Sequence, residues 1–129
     1  MSIPFWCLFF AALLIYLAKV PVAKAMREEG RGYDNRNPRA QQARLTGFGA
    51  RAVAAHQNTL EIFPLFAAGV LVAHVTQSQG WFVDLLAIAF IVSRVLYLFL
   101  YWNDKAGMRS LVWVVGLVCS LLLMLSPAL

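Results

Sequence analysis

The sequence predicts an all-α integral membrane protein, a four-helix bundle with both termini on the outer side of the membrane. Of the 129 residues, 61% are hydrophobic and only 13% are charged, and the mean hydropathy is +0.70. Four apolar segments are each long enough to cross a hydrocarbon layer, which needs about 20 residues of helix. The basic residues also gather in alternate connectors. We therefore interpret 1–129 as a single four-helix membrane domain.

The first predicted span, 3–26, opens with the apolar run IPFWCLFFAALLIYLA. No basic region precedes this run, and its Lys residues follow it, which is the reverse of a signal peptide. We therefore expect the first span to stay uncleaved in the protein. The remaining predicted spans are 48–75, 81–102 and 109–127.

The connector 27–47 is the largest predicted piece outside the membrane. Gly30 and Gly32, followed by the pair Asn37 and Pro38, favour turns there rather than a continuous helix. Its simplest interpretation is a solvated loop that contacts lipid headgroups. A loop that covers a site on the cytoplasmic side is the alternative.

The charge pattern predicts the orientation of the spans. The connector 27–47 carries five arginines, TQSQG after the second span carries no charge, and the turn after the third span carries Lys105. Loops rich in Lys and Arg stay in the cytoplasm. The first and third connectors are therefore predicted to lie inside, and both termini outside.

Composition also excludes two classes of function. The net charge is +5, but the basic residues are spread around the spans rather than gathered on a polar domain, so we expect no nucleic-acid partner. The cysteines Cys7 and Cys119 lie in apolar runs, away from any histidine or second cysteine. We expect both to act as small hydrophobic residues, and we expect no metal site.

Polar residues interrupt the second span. An ionisable side chain at the centre of a bilayer costs about 3 kcal/mol, so it normally faces a partner or a polar cavity. At 100° per residue, Arg51, Asn58 and Glu61 fall within about 80° of one another on the helix. Pro64 leaves the carbonyl of Leu60 without its helical donor and is expected to bend the helix. The face that Arg51, Asn58 and Glu61 share therefore predicts a polar cavity beside the second span.

A second polar stripe follows the third span. Arg94, Tyr97, Tyr101 and Asp104 are spaced by three, four and three residues, so they share one side of a helix. Arg109 begins the fourth span at the same cytoplasmic depth. The arginines outnumber the nearby carboxylates, which indicates room for an anionic ligand.

Two alternatives to a ligand site stay open. Glu61 and Arg94 could neutralise each other, while Tyr97 and Tyr101 could belong to an interfacial aromatic belt. A small ion pathway could instead use Glu61, Arg94 and His56. This pathway is disfavoured because the outer halves of the spans offer only His74 and Asp84, which do not continue a polar chain.

The segments NTLEIFP and SRVLYLFLY, with the turn RNP before them, resemble the membrane-associated proteins in eicosanoid and glutathione metabolism. The resemblance covers essentially the whole chain and looks most like the short bacterial branch, which implies a multi-pass protein of a bacterial inner membrane. It also implies a homotrimer, glutathione as cosubstrate at subunit interfaces, and a lipophilic substrate that arrives through membrane lipid. Arg109 would be the catalytic residue that stabilises the glutathione thiolate. The implied glutathione-binding residues are Arg51, Asn58, Glu61, Arg94, Tyr97 and Tyr101.

The resemblance implies a glutathione transferase or peroxidase, but one position departs from it. Family enzymes usually carry an arginine four residues before the motif asparagine, where this chain has Ala54 and the nearest upstream arginine is Arg51. The alternative is a non-enzymatic membrane scaffold of the same fold that binds lipid or a small molecule, as the five-lipoxygenase activating protein does. The sequence is compatible with both functions.

Overall fold

The computed structural model describes all 129 residues, and its regular structure is entirely helical. Four segments are long and apolar enough to cross a membrane, which confirms the predicted fold class. Many large apolar side chains on the outside of the bundle are exposed, as expected for a surface that faces lipid. The helices are α1 (Ile3–Leu17), α2 (Lys19–Glu28), α3 (Pro38–Arg44), α4 (Phe48–Val75), α5 (Trp81–Trp102) and α6 (Ala106–Leu125), followed by a 3₁₀ turn (Ser126–Ala128).

The first span contains a break that the sequence analysis did not predict. Helices α1 and α2 meet at Ala18, which is fully buried, and together they run from Ile3 to Glu28. Pro21 explains where the break falls, because its ring excludes the carbonyl of Leu17, four residues earlier, from normal helical bonding. The span therefore passes from α1 to α2 at the point where its composition changes from apolar to basic.

Turns occupy the first half of the connector between α2 and α4, as predicted. Gly30 and Gly32 have φ angles of 41° and 89°, a region that residues with a side chain rarely adopt. The Asp34 carboxylate then accepts the backbone N–H groups of Arg36 and Asn37 at 3.1 and 3.0 Å. These bonds close the turn just before α3 begins.

The short helix α3 was not predicted, and a buried glutamine holds it in place. The Gln41 side-chain nitrogen donates to the carbonyls of Met26 and Gly32 at 3.0 and 2.9 Å. Its side-chain oxygen accepts the backbone N–H of Asp34 at 2.8 Å. One amide therefore joins α2, the turn and α3, and the connector is an ordered cap on this end of the bundle.

The core lies between α1, α4, α5 and α6. The rings of Phe66 and Phe90 stack with centroids 3.8 Å apart and planes 3° apart, and both side chains are almost completely buried. Leu123 of α6 packs in the same cluster. Cys7 and Cys119 are buried there as free cysteines, in the packing role that the sequence analysis gave them.

Charge divides the bundle into two ends. The basic end carries the connector with α3 and the turn between α5 and α6, and the opposite end carries the start of α1 and the turn between α4 and α5. All eleven Lys and Arg residues lie on the side of the basic end. The positive-inside rule predicts that this end faces the cytoplasm.

Small residues allow α6 to approach its neighbours closely. A Cβ atom added to Gly69 would lie 2.9 Å from the Leu123 Cβ and 2.9 Å from the Ser120 carbonyl oxygen. A Cβ on Gly116 would lie 2.9 Å from the Ser93 Oγ. Glycine at these positions therefore sets the separation of α6 from α4 and α5, as small residues commonly do in membrane bundles.

We predict that Gly69→Ala destabilises the bundle by about 1–3 kcal/mol, because the added methyl group meets backbone atoms that cannot rotate away. Gly107→Ala is the matched control, since a Cβ at Gly107 would have no heavy atom within 4 Å. Thermal unfolding in detergent should show a lower midpoint for the first variant only. Equal midpoints would contradict the close approach of α4 and α6.

Candidate functional site

A cleft opens at the basic end between α4, α5 and α6. Its volume is ≈ 230 Å³, and its walls carry an amide, two phenols, a guanidinium, a hydroxyl and an indole. The lining residues are Asn58, Tyr97, Tyr101, Arg109, Ser110 and Trp113.

Arg94 lies directly behind this cleft and is only 2% exposed. Its Nη2 donates to the Asn58 Oδ1 at 2.8 Å, and its Cζ lies 4.0 Å from the centroid of the Tyr97 ring. The Nε and Nη1 atoms are buried and have no hydrogen-bond partner. The guanidinium therefore keeps unused donors in a region of low dielectric, where an added anion would be bound strongly.

The cations and phenols along α5 and α6 form a continuous stack, with a guanidinium at each end and two phenols between them. Arg109 places its Cζ 4.3 Å from the centroid of the Tyr101 ring, and the rings of Tyr101 and Tyr97 meet edge to face with centroids 5.6 Å apart. Arg94 lies over the other ring of the pair. The order along the wall is Arg94, Tyr97, Tyr101, Arg109, so each guanidinium is held over a ring by a cation–π contact.

This stack follows from the local sequence. Arg94, Tyr97 and Tyr101 return to the same side of α5 because they are spaced by three and four residues. Asp104, which the same periodicity adds to the stripe, lies beyond the end of α5 with a φ angle of 59° and is exposed. The helix ends before its carboxylate can join the cleft.

The predicted stripe on α4 divides in the structure. Asn58 lines the cleft, whereas Arg51 and Glu61 do not. Arg51 is half-buried with an unpartnered Nε, and Glu61 is exposed on the surface of the chain. The three residues do share one face of α4, but their angular spacing does not show that only part of this 80° face meets α5.

The charge-pair alternative is wrong for this chain. Glu61 forms no ion pair with Arg94, and the single ion pair of the structure joins Arg44 to Glu29 at 3.9 Å near α3. The positive charge of Arg94 is thus shared only with an amide oxygen and an aromatic ring. A cleft with one guanidinium in its wall, a second buried behind it and no carboxylate paired to either is suited to carboxylate or thiolate ligands.

Two residues that line the cleft were missed by sequence reasoning. Trp113 lies one turn after Arg109 on α6, so the i, i+4 spacing could have identified it. Ser110 is the direct neighbour of Arg109 and had no comparable signal. His56 lies outside the cleft and is 7% exposed. No group of three or more His, Cys, Asp or Glu side chains is placed to hold a metal ion.

A comparison with known proteins places the chain in a family. The model described as "MAPEG family" matches residues 3–129. Since this match spans nearly the whole chain, the chain belongs to the MAPEG family. A comparison with curated proteins found no match, and a comparison with solved structures found none.

Removal of the Asn58 side chain should destabilise the protein, because the buried guanidinium of Arg94 would lose its partner. In Asn58→Ala, Arg94 loses its only hydrogen bond, so we predict a loss of about 1–3 kcal/mol in the free energy of unfolding. Gln57→Ala removes an exposed amide from the same helix and should change stability much less. Thermal unfolding in detergent measures both. A larger loss in Gln57→Ala would refute the assigned role of Asn58.

Proposed function

We propose that this member of the MAPEG family is a glutathione-dependent membrane enzyme, a transferase or peroxidase that acts on lipophilic substrates. The proposal rests on the continuous stack of two guanidiniums and two phenols beside the cleft, with no carboxylate paired to either cation. Glutathione carries two carboxylates and a thiol, all of which gain from such a wall.

The positions of the groups in the cleft assign each a part in binding. Arg94 is buried behind the cleft, and its Nε and Nη1, which have no partner, would have to become accessible for an anion to bind them beside Asn58. Arg109 lies at the mouth, half-buried, over the ring of Tyr101. In the proposed complex, Arg94 and Asn58 hold a carboxylate and Arg109 faces the thiol. The hydroxyls of Tyr97 and Tyr101 supply further hydrogen-bond donors.

The chemical step would be electrostatic. A free thiol has a pKa of about 8.5, and a neighbouring guanidinium lowers that pKa, so more thiolate exists at neutral pH. In a transferase reaction the sulfur bonds to the electrophilic carbon, the leaving group departs with its bonding electrons, and the thiol proton passes to solvent. In a peroxidase reaction two glutathione molecules are oxidised to the disulfide while a hydroperoxide is reduced to an alcohol and water.

Assembly belongs to the same proposal. We propose a homotrimer in a bacterial inner membrane, with the basic end in the cytoplasm. Glu61 is exposed on the side of a single chain, and the half-buried Arg51 keeps an unpartnered nitrogen. Contacts between subunits would bring these two residues to the bound glutathione. A lipophilic substrate would reach the sulfur laterally from the membrane.

A scaffold that binds lipid or a small molecule without turnover is the second candidate. The observation in its favour is Ala54, which stands where family enzymes usually carry an arginine and which does not line the cleft. Turnover of chlorodinitrobenzene or cumene hydroperoxide by the purified protein separates the two functions, since a scaffold would show none.

We predict that the protein binds glutathione at millimolar concentration and increases the thiolate absorbance of the bound molecule. Arg109→Ala should reduce the thiolate fraction at neutral pH about tenfold or more, because an opposite charge nearby lowers a thiol pKa by about 1–3 units. Arg36→Ala, which removes an exposed arginine of the connector, is the matched control. Absence of saturable glutathione binding would defeat the proposal.

We predict further that Ala54→Arg tightens glutathione binding. The new guanidinium would add a charge-assisted bond to a carboxylate, worth about 1.5–3 kcal/mol and therefore at least about tenfold in Kd. Ala54→Leu adds bulk without charge and should not tighten binding. Titration calorimetry in detergent compares the variants. Equal affinities in the two variants would show that position 54 does not face the ligand.

A further inference from the structure

A second cavity lies at the opposite end of the bundle, far from the cleft. It has a volume of ≈ 240 Å³ and opens between the start of α1, the end of α4 and the start of α5. Buried Val70 and Val83 contribute to an apolar wall, and His74 and Asp84 contribute polar groups. The volume corresponds to about eight water molecules at about 30 Å³ each, which suits one small polar group rather than a whole lipid.

The cavity has an acidic lining residue and no Lys or Arg, whereas the chain as a whole is basic. Asp84 is the only acidic residue at the opposite end, and every Lys and Arg side chain lies towards the basic end. The Asp84 carboxylate forms no ion pair and is half-buried in a lining where five of the 12 residues are hydrophobic. A carboxylate in such a place attracts a cation from outside the chain.

Aromatic groups beside the Asp84 carboxylate indicate which kind of cation would bind there. The rings of Phe5 and His74 pack with centroids 4.6 Å apart and an angle of 48°, and both residues line the cavity. An ammonium group gains from a carboxylate and from an aromatic face at the same time. A hydrated metal ion would gain little from the phenyl ring, so the site favours an organic ammonium.

The surroundings also offer a place for a phosphate and for apolar chains. Helix α5 begins at this cavity after Gly80, and the first N–H groups of a helix attract anions. The start of α1 contributes less, because Pro4 has no N–H and the Phe5 N–H donates to the Ser2 Oγ. Around the mouth, Ile3, Val75 and Trp81 are 45%, 78% and 76% exposed. Tryptophan is typical of the depth at which lipid headgroups lie. The ligand that matches all of these features has an ammonium, a phosphate and acyl chains.

We propose that this cavity binds the headgroup of a phospholipid that carries a primary ammonium, taken from the outer leaflet, with the ammonium paired to Asp84. The phosphate then lies near the first turn of α5, and the acyl chains run along the apolar surface beside Ile3 and Val75. All of the residues involved belong to one chain. The site therefore depends neither on the proposed glutathione chemistry nor on assembly.

Native mass spectrometry of the detergent-solubilised protein tests this site. With equal amounts of phosphatidylethanolamine and phosphatidylglycerol, the wild-type protein should retain phosphatidylethanolamine preferentially. Asp84→Asn should reduce that preference about fivefold, the factor that corresponds to about 1 kcal/mol of ion-pair free energy. Asp84→Glu keeps the charge and should keep the preference. Asp104→Asn makes the same chemical change at the basic end and should leave the preference unaltered.

A change of lipid tests the site without any variant, in case Asp84→Asn does not fold. Phosphatidylethanolamine acetylated on its nitrogen keeps the phosphate and the chains but has no ammonium, so the wild-type protein should not prefer it over phosphatidylglycerol. Retained preference for the acetylated lipid would overturn the proposal. Binding of dodecylammonium that depends on Asp84, without binding of phosphatidylethanolamine, would also overturn the proposal, because the ligand would then be a free amine.

Discussion

The buried guanidinium of Arg94 is the constraint on which the basic half of the bundle depends. A charge that is 2% exposed within a membrane span costs several kcal/mol unless its surroundings compensate it. The compensation is one hydrogen bond that Arg94 donates to the Asn58 oxygen and one contact with the Tyr97 ring. The hydrogen bond requires α4 and α5 to keep one register, whereas the ring contact lies within α5. The stacked rings of Phe66 and Phe90 lie deeper in the same interface and enforce that register through packing alone.

The distribution of charge gives the two cavities opposite chemistry. Eleven basic residues lie towards one end, where the cleft holds Arg109 and no acidic residue. The other end has a single acidic residue, Asp84, and no Lys or Arg side chain. The asymmetry that predicts the orientation of the chain therefore also gives one cavity a basic lining residue and the other an acidic one, as the two proposed ligands require.

The sequence predicted the four spans because hydropathy over about 20 residues is a strong signal. The second and third spans, α4 and α5, have the predicted bounds. Helix α3 escaped prediction because seven residues show no periodicity, and its anchor Gln41 acts through contacts that are distant in sequence. Within the site, periodicity found the stripe on α5, but it could not show which residues of α4 face α5. The cavity at the opposite end was not predicted because His74 and Asp84 belong to different helices, so no spacing along one helix links them.

A neutral Glu61–Arg94 pair would have made the simpler bundle, since a buried cation with a paired carboxylate costs less than one without. The structure leaves Glu61 at the surface and Arg94 with two unused nitrogens. Stability alone does not explain this arrangement, because an apolar side chain of similar size at position 94 would avoid the cost altogether. A binding role does explain it. Donors that are already dehydrated and held over a ring would lose little freedom if the proposed anion bound, so binding would recover part of the free energy lost in folding.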